Sequence, residues 1–263
     1  MLWILSMFLM LNLSFAEVGR VLKVVGTNDA YLLREGNKLP AVVEMELQEG
    51  DQVFAQSAHL VLHLYPSSQL SVTKGTEIII SRNVIEEGEK LDKAVSIIDL
   101  VKGMIRLQVV KDEETELDQK IEARNVAFSV RGTDFEVAML DDEVDMDVYE
   151  GEVEVTSPHV HTFVPYHVKA NEGFRFSRKA KAFARRNFNP RLKNNSEFMP
   201  REKIKHAWKE RKPEFMRNRQ LKKEGRQGRA GDRKEVMKAR GQQTLDKKAD
   251  RLERRGKRKP GNP

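Results

Sequence analysis

Val126-Ala127-Phe128-Ser129-Val130-Arg131-Gly132-Thr133-Asp134-Phe135-Glu136-Val137 alternates apolar with polar residues on both sides of a glycine. Alternation with period two belongs to a half-buried strand, so two strands are expected to meet at a bend over Arg131-Gly132-Thr133. Phe128, Val130, Phe135 and Val137 then face inward. A glycine suits the bend because it takes a positive φ that a β-branched residue resists. Arg131, next to an inward valine, needs partners, and Thr133 and Asp134 offer a hydroxyl and a carboxylate nearby. Downstream, Val148-Tyr149-Glu150-Gly151-Glu152-Val153-Glu154-Val155 repeats the scheme, and Glu150-Gly151 reads as a hairpin turn. Val130, Arg131, Gly132, Thr133, Phe135, Glu150 and Gly151 are therefore read as structural motif residues.

Outward from this stretch the same period recurs in Val21-Leu22-Lys23-Val24, in His59 to Leu64 and in Val144 to Val148. A glycine preceded by a charged or polar residue punctuates the strands at Gly50, Gly75, Gly103, Gly132, Gly151 and Gly173. The intervals are too irregular for a strict short-period β-helix, but they suit a chain that turns a corner after every one or two strands. No segment before Ser177 sustains a helical period. The expectation is an all-β domain, a β-roll or sandwich.

The V-R-G-T-x-F-x-V string at Val130 to Val137, followed by E-G-x-V-x-V at Glu150 to Val155, resembles the core signature of the FecR domain. Gly19-Arg20-Val21, Leu47 to Val53, Leu100 to Arg106 and Ala170 to Gly173 fit the same family in order, so the resemblance covers roughly residues 18 to 177. Ala123-Arg124 and Pro66-Ser67-Ser68 depart from it at two turns. The resemblance implies a periplasmic module that, in the regulator naming the family, takes a signal from an outer-membrane transporter and passes it through a membrane span to a sigma factor. This chain resembles only the periplasmic part, so a direct anti-sigma role is not expected of it.

The net charge of +7 hides two opposite halves: residues 1–177 hold 16 Lys+Arg and 30 Asp+Glu, a balance of −14, and residues 178–263 hold 31 and 10, a balance of +21. Residues 1–16, nearly all apolar and ending Ser14-Phe15-Ala16, read as a secretory signal cleaved before Glu17, and no later stretch reads as a membrane span. The expected organisation is a signal peptide over 1–16, a FecR-like β domain over 17–177, a linker over 178–199 and a basic, partly helical or disordered tail over 200–263. In the tail, Ile204, Ala207, Trp208 and Phe215 or Met216 mark a helix face that Pro213 should break, and fraying is expected until a partner binds.

Catalysis finds no support. The chain has no cysteine and no G-x-S-x-G elbow. His59 with His63, and His159 with His161, are read as surface histidines rather than metal ligands. The acidic run Asp141, Asp142, Glu143, Asp145 and Asp147 is read as a solvated strand face; Met146 stands where an EF-hand loop needs glycine. No cofactor is expected. The resulting reading is a non-enzymatic binding or signalling module in the periplasm or secreted, with an envelope protein or an anionic polymer as partner and any nucleic-acid binding nonspecific. The alternative is a structural envelope protein with the β domain as scaffold and the tail as polyanion tether. A third possibility has the tail folding back on the acidic half.

Overall fold

The computed structural model describes residues 17–217 except 27–28, 87, 89, 112, 158–164 and 193–197. The expected signal peptide, His159 with His161, and the tail beyond residue 217 lie outside the described residues. By its internal contacts the chain divides into two units at Arg211 and Lys212.

Among the described residues, seventeen strands pass between two sheets. The path starts with β1 (Glu17–Val25) in sheet A, β2 (Ala30–Arg34) and β3 (Asn37–Pro40) in sheet B, β4 (Glu46–Gln48) in A and β5 (Gln52–Ala55) in B. It continues with β6 (His59–Leu64) and β7 (Ser68–Val72) in A and β8 (Thr76–Glu86) in B. The long β9 (Asp92–Val109) pairs in sheet B up to Lys102 and in sheet A from Gly103 onward. Thereafter β10 (Thr115–Ala123) and β11 (Val126–Val130) lie in B, β12 (Asp134–Met139) and β13 (Glu143–Glu150) in A, β14 (Glu152–Thr156) and β15 (Tyr166–Lys169) in B, and β16 (Glu172–Ser177) and β17 (Ala182–Asn187) in A. Sheet A thus runs β4-β1-β6-β7-β9-β12-β13-β16-β17, and sheet B runs β3-β2-β5-β8-β9-β10-β11-β14-β15. All neighbours are antiparallel except β9 with β10.

The fold is all-β, as the expected β-roll or sandwich required, and five of the six punctuating glycines have a specific meaning: they mark where the chain crosses from one sheet to the other, while Gly173 lies within β16. Gly50 lies between β4 and β5, Gly75 between β7 and β8, Gly103 within β9, Gly132 between β11 and β12, and Gly151 between β13 and β14. Glu150-Gly151 is accordingly no hairpin: β13 and β14 belong to different sheets and pair with other strands. At the last crossing, between β15 and β16, the residue with positive φ is Asn171.

Inward residues of the two sheets form the core. β10 and β11 alternate buried and half-buried positions along their length, as period-two patterning requires. Phe128 of sheet B meets Phe174 of sheet A edge to face, with ring centroids 6.2 Å apart. Full burial of side chains of this size contributes about 1.5–3 kcal/mol each. Strands β7, β12 and β13 differ, because runs of consecutive residues are buried on both faces. The chain beyond Ser177 covers their outer face.

That region departs from the expected linker over 178–199 and from the expected break at Pro213, while a helix starting near Pro200 fits the partly helical tail expected. β17 extends sheet A inside the stretch 178–199, and residues 201–217 form one helix that includes Pro213. Ile204 and Trp208 are buried. The sparse apolar face suffices because Trp208 stacks obliquely on Tyr65, centroids 5.3 Å apart, instead of standing alone in water.

Candidate functional site

The outer face of sheet A carries a polar row in direct register across six strands: Ser71 of β7, Arg106 of β9, Glu136 of β12, Asp147 of β13, Gly173 of β16 and Arg186 of β17. A second row runs Arg20, His63, Gln69, Gln108 and Asp134. Side chains two apart on a strand share a face, so alternation alone places these groups together. Despite their polarity, Gln69, Arg106, Asp134, Glu136, Asp145 and Asp147 are each at most 3% exposed. Of the acidic run expected to be solvated, Asp141 is exposed and Asp142 and Glu143 are half-buried, but the face is closed over Asp145 and Asp147.

It is closed by the chain's own main chain. One carboxylate, Glu136, accepts the successive N–H groups of Arg191 (2.7 Å) and Leu192 (2.8 Å). Asp147 accepts from the N–H of Asn189 at 2.9 Å. The carbonyl of Leu192 receives Arg106 Nη1 at 2.7 Å and lies against the Tyr149 hydroxyl. The Gln69 amide takes both backbone groups of Met199, accepting its N–H and donating to its carbonyl, each at 2.8 Å. Buried polar groups need such partners, since an unsatisfied one costs about 1–3 kcal/mol.

Charge is arranged around these contacts. Arg106 forks onto Asp134, and its guanidinium lies 3.6 Å from the centroid of the Tyr149 ring. Tyr149 donates to Glu136 Oε2 at 2.6 Å; burial first, and then this hydrogen bond to a carboxylate, raises the phenol above its ordinary range. Asp145 is gripped by Arg175 through two bonds of 2.7 and 2.9 Å and by Arg191 at 3.0 Å. Burial pushes the Asp145 carboxyl up, but the hydrogen bonds from Arg175 and the charges of Arg186, Arg175 and Arg191 outweigh it and hold the carboxyl below its usual range. Arg186 pairs with Asp147, and the space it crosses exists because Gly173 has no side chain: a Cβ there would come within 2.8 Å of Arg186 Cγ.

The helix adds a second cover. Arg201 pairs with Glu150, which lowers that carboxyl, and Lys209 reaches Glu114 at 3.4 Å. Beneath Trp208, Tyr65 donates to Glu17 at 2.6 Å and accepts from Arg20 at 3.1 Å, while Arg20 also bonds Glu44 at 2.5 Å. Arg211 stands 3.7 Å from Glu44.

The residues singled out in the sequence sit at the sheet crossings and not on this face. Val130, Thr133 and Phe135 are buried; Gly132 has φ +60° and Gly151 φ +84°. Thr133 Oγ1 donates toward the carbonyls of Arg131 and Glu152, and a Cβ on Gly151 would stand 3.1 Å from that same hydroxyl. The two strings are therefore adjoining crossings, packed one on the other. Arg131 does not take the side-chain partners expected at Thr133 and Asp134: it is 68% exposed and pairs with Glu116, while Asp134 belongs to Arg106 and Gln108. His63 is buried and so is not the surface histidine expected, while half-buried His59 bonds Ser71 at 2.7 Å. What the sequence hid was Arg106, Glu136 and Gln69, whose neighbours come from strands far away in the chain.

The crossings and the strands around them define a class. Residues 52–154, from β5 into β14, match the family described as FecR protein. Two crystal structures of a candidate anti-sigma factor from Parabacteroides distasonis are similar to it. One has 18% identity and a TM-score of 0.41 over 52% of this chain and 60% of that one. The other has 17% identity and a TM-score of 0.41 over 52% and 58%. This chain thus spans less than two thirds of the length of either. No curated protein matches it.

Proposed function

We propose that this protein is a non-enzymatic binding or signalling module working outside the cytoplasm, with a protein of the cell envelope as its partner. The FecR match at residues 52–154 carries the reading, because the family supports a regulatory, protein-contacting role. The apolar run 1–16 supports export, and among the described residues no helix is long and apolar enough to cross a membrane. The chemistry of sheet A supports binding over catalysis: its buried carboxylates and guanidinium groups hold polypeptide main chain. Of the basic C-terminal half, Arg186, Arg191, Arg201 and Arg211 face Asp147, Asp145, Glu150 and Glu44. These pairs favour the fold-back reading for that stretch, and a polyanion tether is left to residues 218–263, outside the described residues.

The test is a photo-crosslinking residue placed at exposed Val42, Val101 or Leu140, one at a time, in the native host. The expected result is a single envelope protein crosslinked from one of these positions, with the chain recovered outside the cytoplasm. Adducts to cytoplasmic proteins alone would overturn the proposal.

A further inference from the structure

We infer that the outer face of sheet A is a docking furrow for an arginine-bearing protein segment, and that residues 187–192 occupy it in cis. The two sides of the contact are built differently. On the sheet side, the charged groups that read the segment are buried and fixed by neighbours: Glu136 by Tyr149, Arg106 by Asp134, Asp145 by Arg175 and Asp147 by Arg186. On the segment side, Asn187, Asn189 and Arg191 are exposed, and Phe188, Pro190 and Leu192 are only half-buried. What the sheet grips is the main chain of Asn189, Arg191 and Leu192, together with one guanidinium, that of Arg191 on Asp145.

A core contact has the opposite character, with side chains buried on both sides. A preorganised face that reads backbone N–H and C=O groups plus one charge is how peptide-binding surfaces recognise a peptide's main chain. Three buried carboxylates face the segment, Glu136, Asp145 and Asp147; Arg175 and Arg186 already partner the two aspartates, and the negative charge of the face favours a segment that adds a further cation, as Arg191 does on Asp145. Polar contacts of this kind exchange well, because each contributes little net free energy while water or another polar segment can replace it. The occupant in trans is a segment of the partner protein with the same chemistry, a run of backbone that turns two successive N–H groups onto Glu136 and carries an arginine two residues after its first docked N–H. The furrow's role rests on the proposed binding function, but its test uses purified protein and so fails independently of the crosslinking.

The probe is a fluorescein-labelled peptide with the sequence of residues 186–192. In the wild-type chain the tethered segment competes at an effective concentration of about millimolar, so the peptide binds weakly. The double variant Asn189→Pro and Leu192→Pro removes two of the gripped N–H donors and leaves the sheet untouched. Anisotropy titration is expected to show this full-length variant binding the peptide about tenfold more tightly than wild type, or better. Adding Glu136→Gln, or N-methylating the Leu192 amide of the peptide, should reverse the gain by about tenfold, as loss of a charge-assisted hydrogen bond requires. If the proline variant lacks the native circular dichroism and melting transition, Arg191→Glu takes its place. Equal binding by wild type and the released variant overturns the furrow, and equal binding of the N-methylated peptide overturns main-chain recognition. A stable wild-type dimer that excludes the peptide would assign the face to a second copy and overturn the trans partner.

Discussion

Arg106 stands opposite Glu136 in the β9–β12 ladder yet places its guanidinium on Asp134, Nε to Oδ1 at 2.8 Å and Nη2 to Oδ2 at 3.1 Å. The diagonal choice frees Glu136 for the main chain of Arg191 and Leu192. Removing one partner leaves the other as an uncompensated buried charge. Asp134→Ala should therefore cost about 3–5 kcal/mol in urea denaturation. Arg106→Lys should lose most of the same stability, because an ammonium cannot form the two-pronged contact and stack on Tyr149 at once. A loss under about 1 kcal/mol for both would show that the pair is not desolvated.

Gly103 and Gly132 both carry the chain from sheet B to sheet A, at φ +90° and +60°. A Cβ on Gly103 would lie 2.6 Å from the backbone Cα of Thr76, whereas one on Gly132 would meet the flexible side chain of Lys111. Gly132→Val should cost about 1–3 kcal/mol from backbone strain. Gly103→Ala should cost more, since Thr76 cannot yield without moving β8. Denaturation midpoints that rank the two in reverse order would refute this account.

His63 is buried edge-on to Tyr65, and burial, with a smaller contribution from the Arg20 charge, lowers its pKa from 6.5 to about 4 against the hydrogen bond to Pro66. The folded state thus holds this ring neutral where the unfolded chain protonates it. Stability from this group is complete above about pH 6.5 and is lost as pH falls toward about 4. Between about pH 7.5 and 5 the loss is about 2 kcal/mol. His63→Asn, which keeps a donor toward Pro66 and does not titrate, should flatten that part of the stability profile. An unchanged slope in the variant would place the titration elsewhere.

The mature chain is expected to begin at Glu17, the residue that opens β1 and takes hydrogen bonds from Arg20 and Tyr65. Mass spectrometry of the protein from its native host reads this directly. An abundant soluble form with an intact Met1 peptide would remove the basis for export.

How much of the fold and the furrow was legible in the sequence depends on the range of each interaction. Alternation and glycine corners are local, so Phe128, Val130, Phe135 and Val137 could be placed inside, and all four are buried. Sheet membership is not local: nothing around Gly151 says whether the chain doubles back or crosses over, and the hairpin reading failed there. Asp145 and Asp147 look like any solvated strand face until Arg186 and Arg191 arrive from about forty residues downstream. Arg131 drew attention because of its neighbours in sequence, while the buried arginine, Arg106, had no local sign to mark it.

Alternating the chain between sheets has a practical consequence for cutting it. A fragment trimmed to residues 52–154 would lose β1 from beside β6, β16 from beside β13, β2 from beside β5 and β15 from beside β14. Both sheets would end at each side in a raw strand edge with free backbone donors and acceptors, which templates aggregation. The strands outside the family boundaries serve as end plates for both sheets at once, and an expressible unit has to retain them.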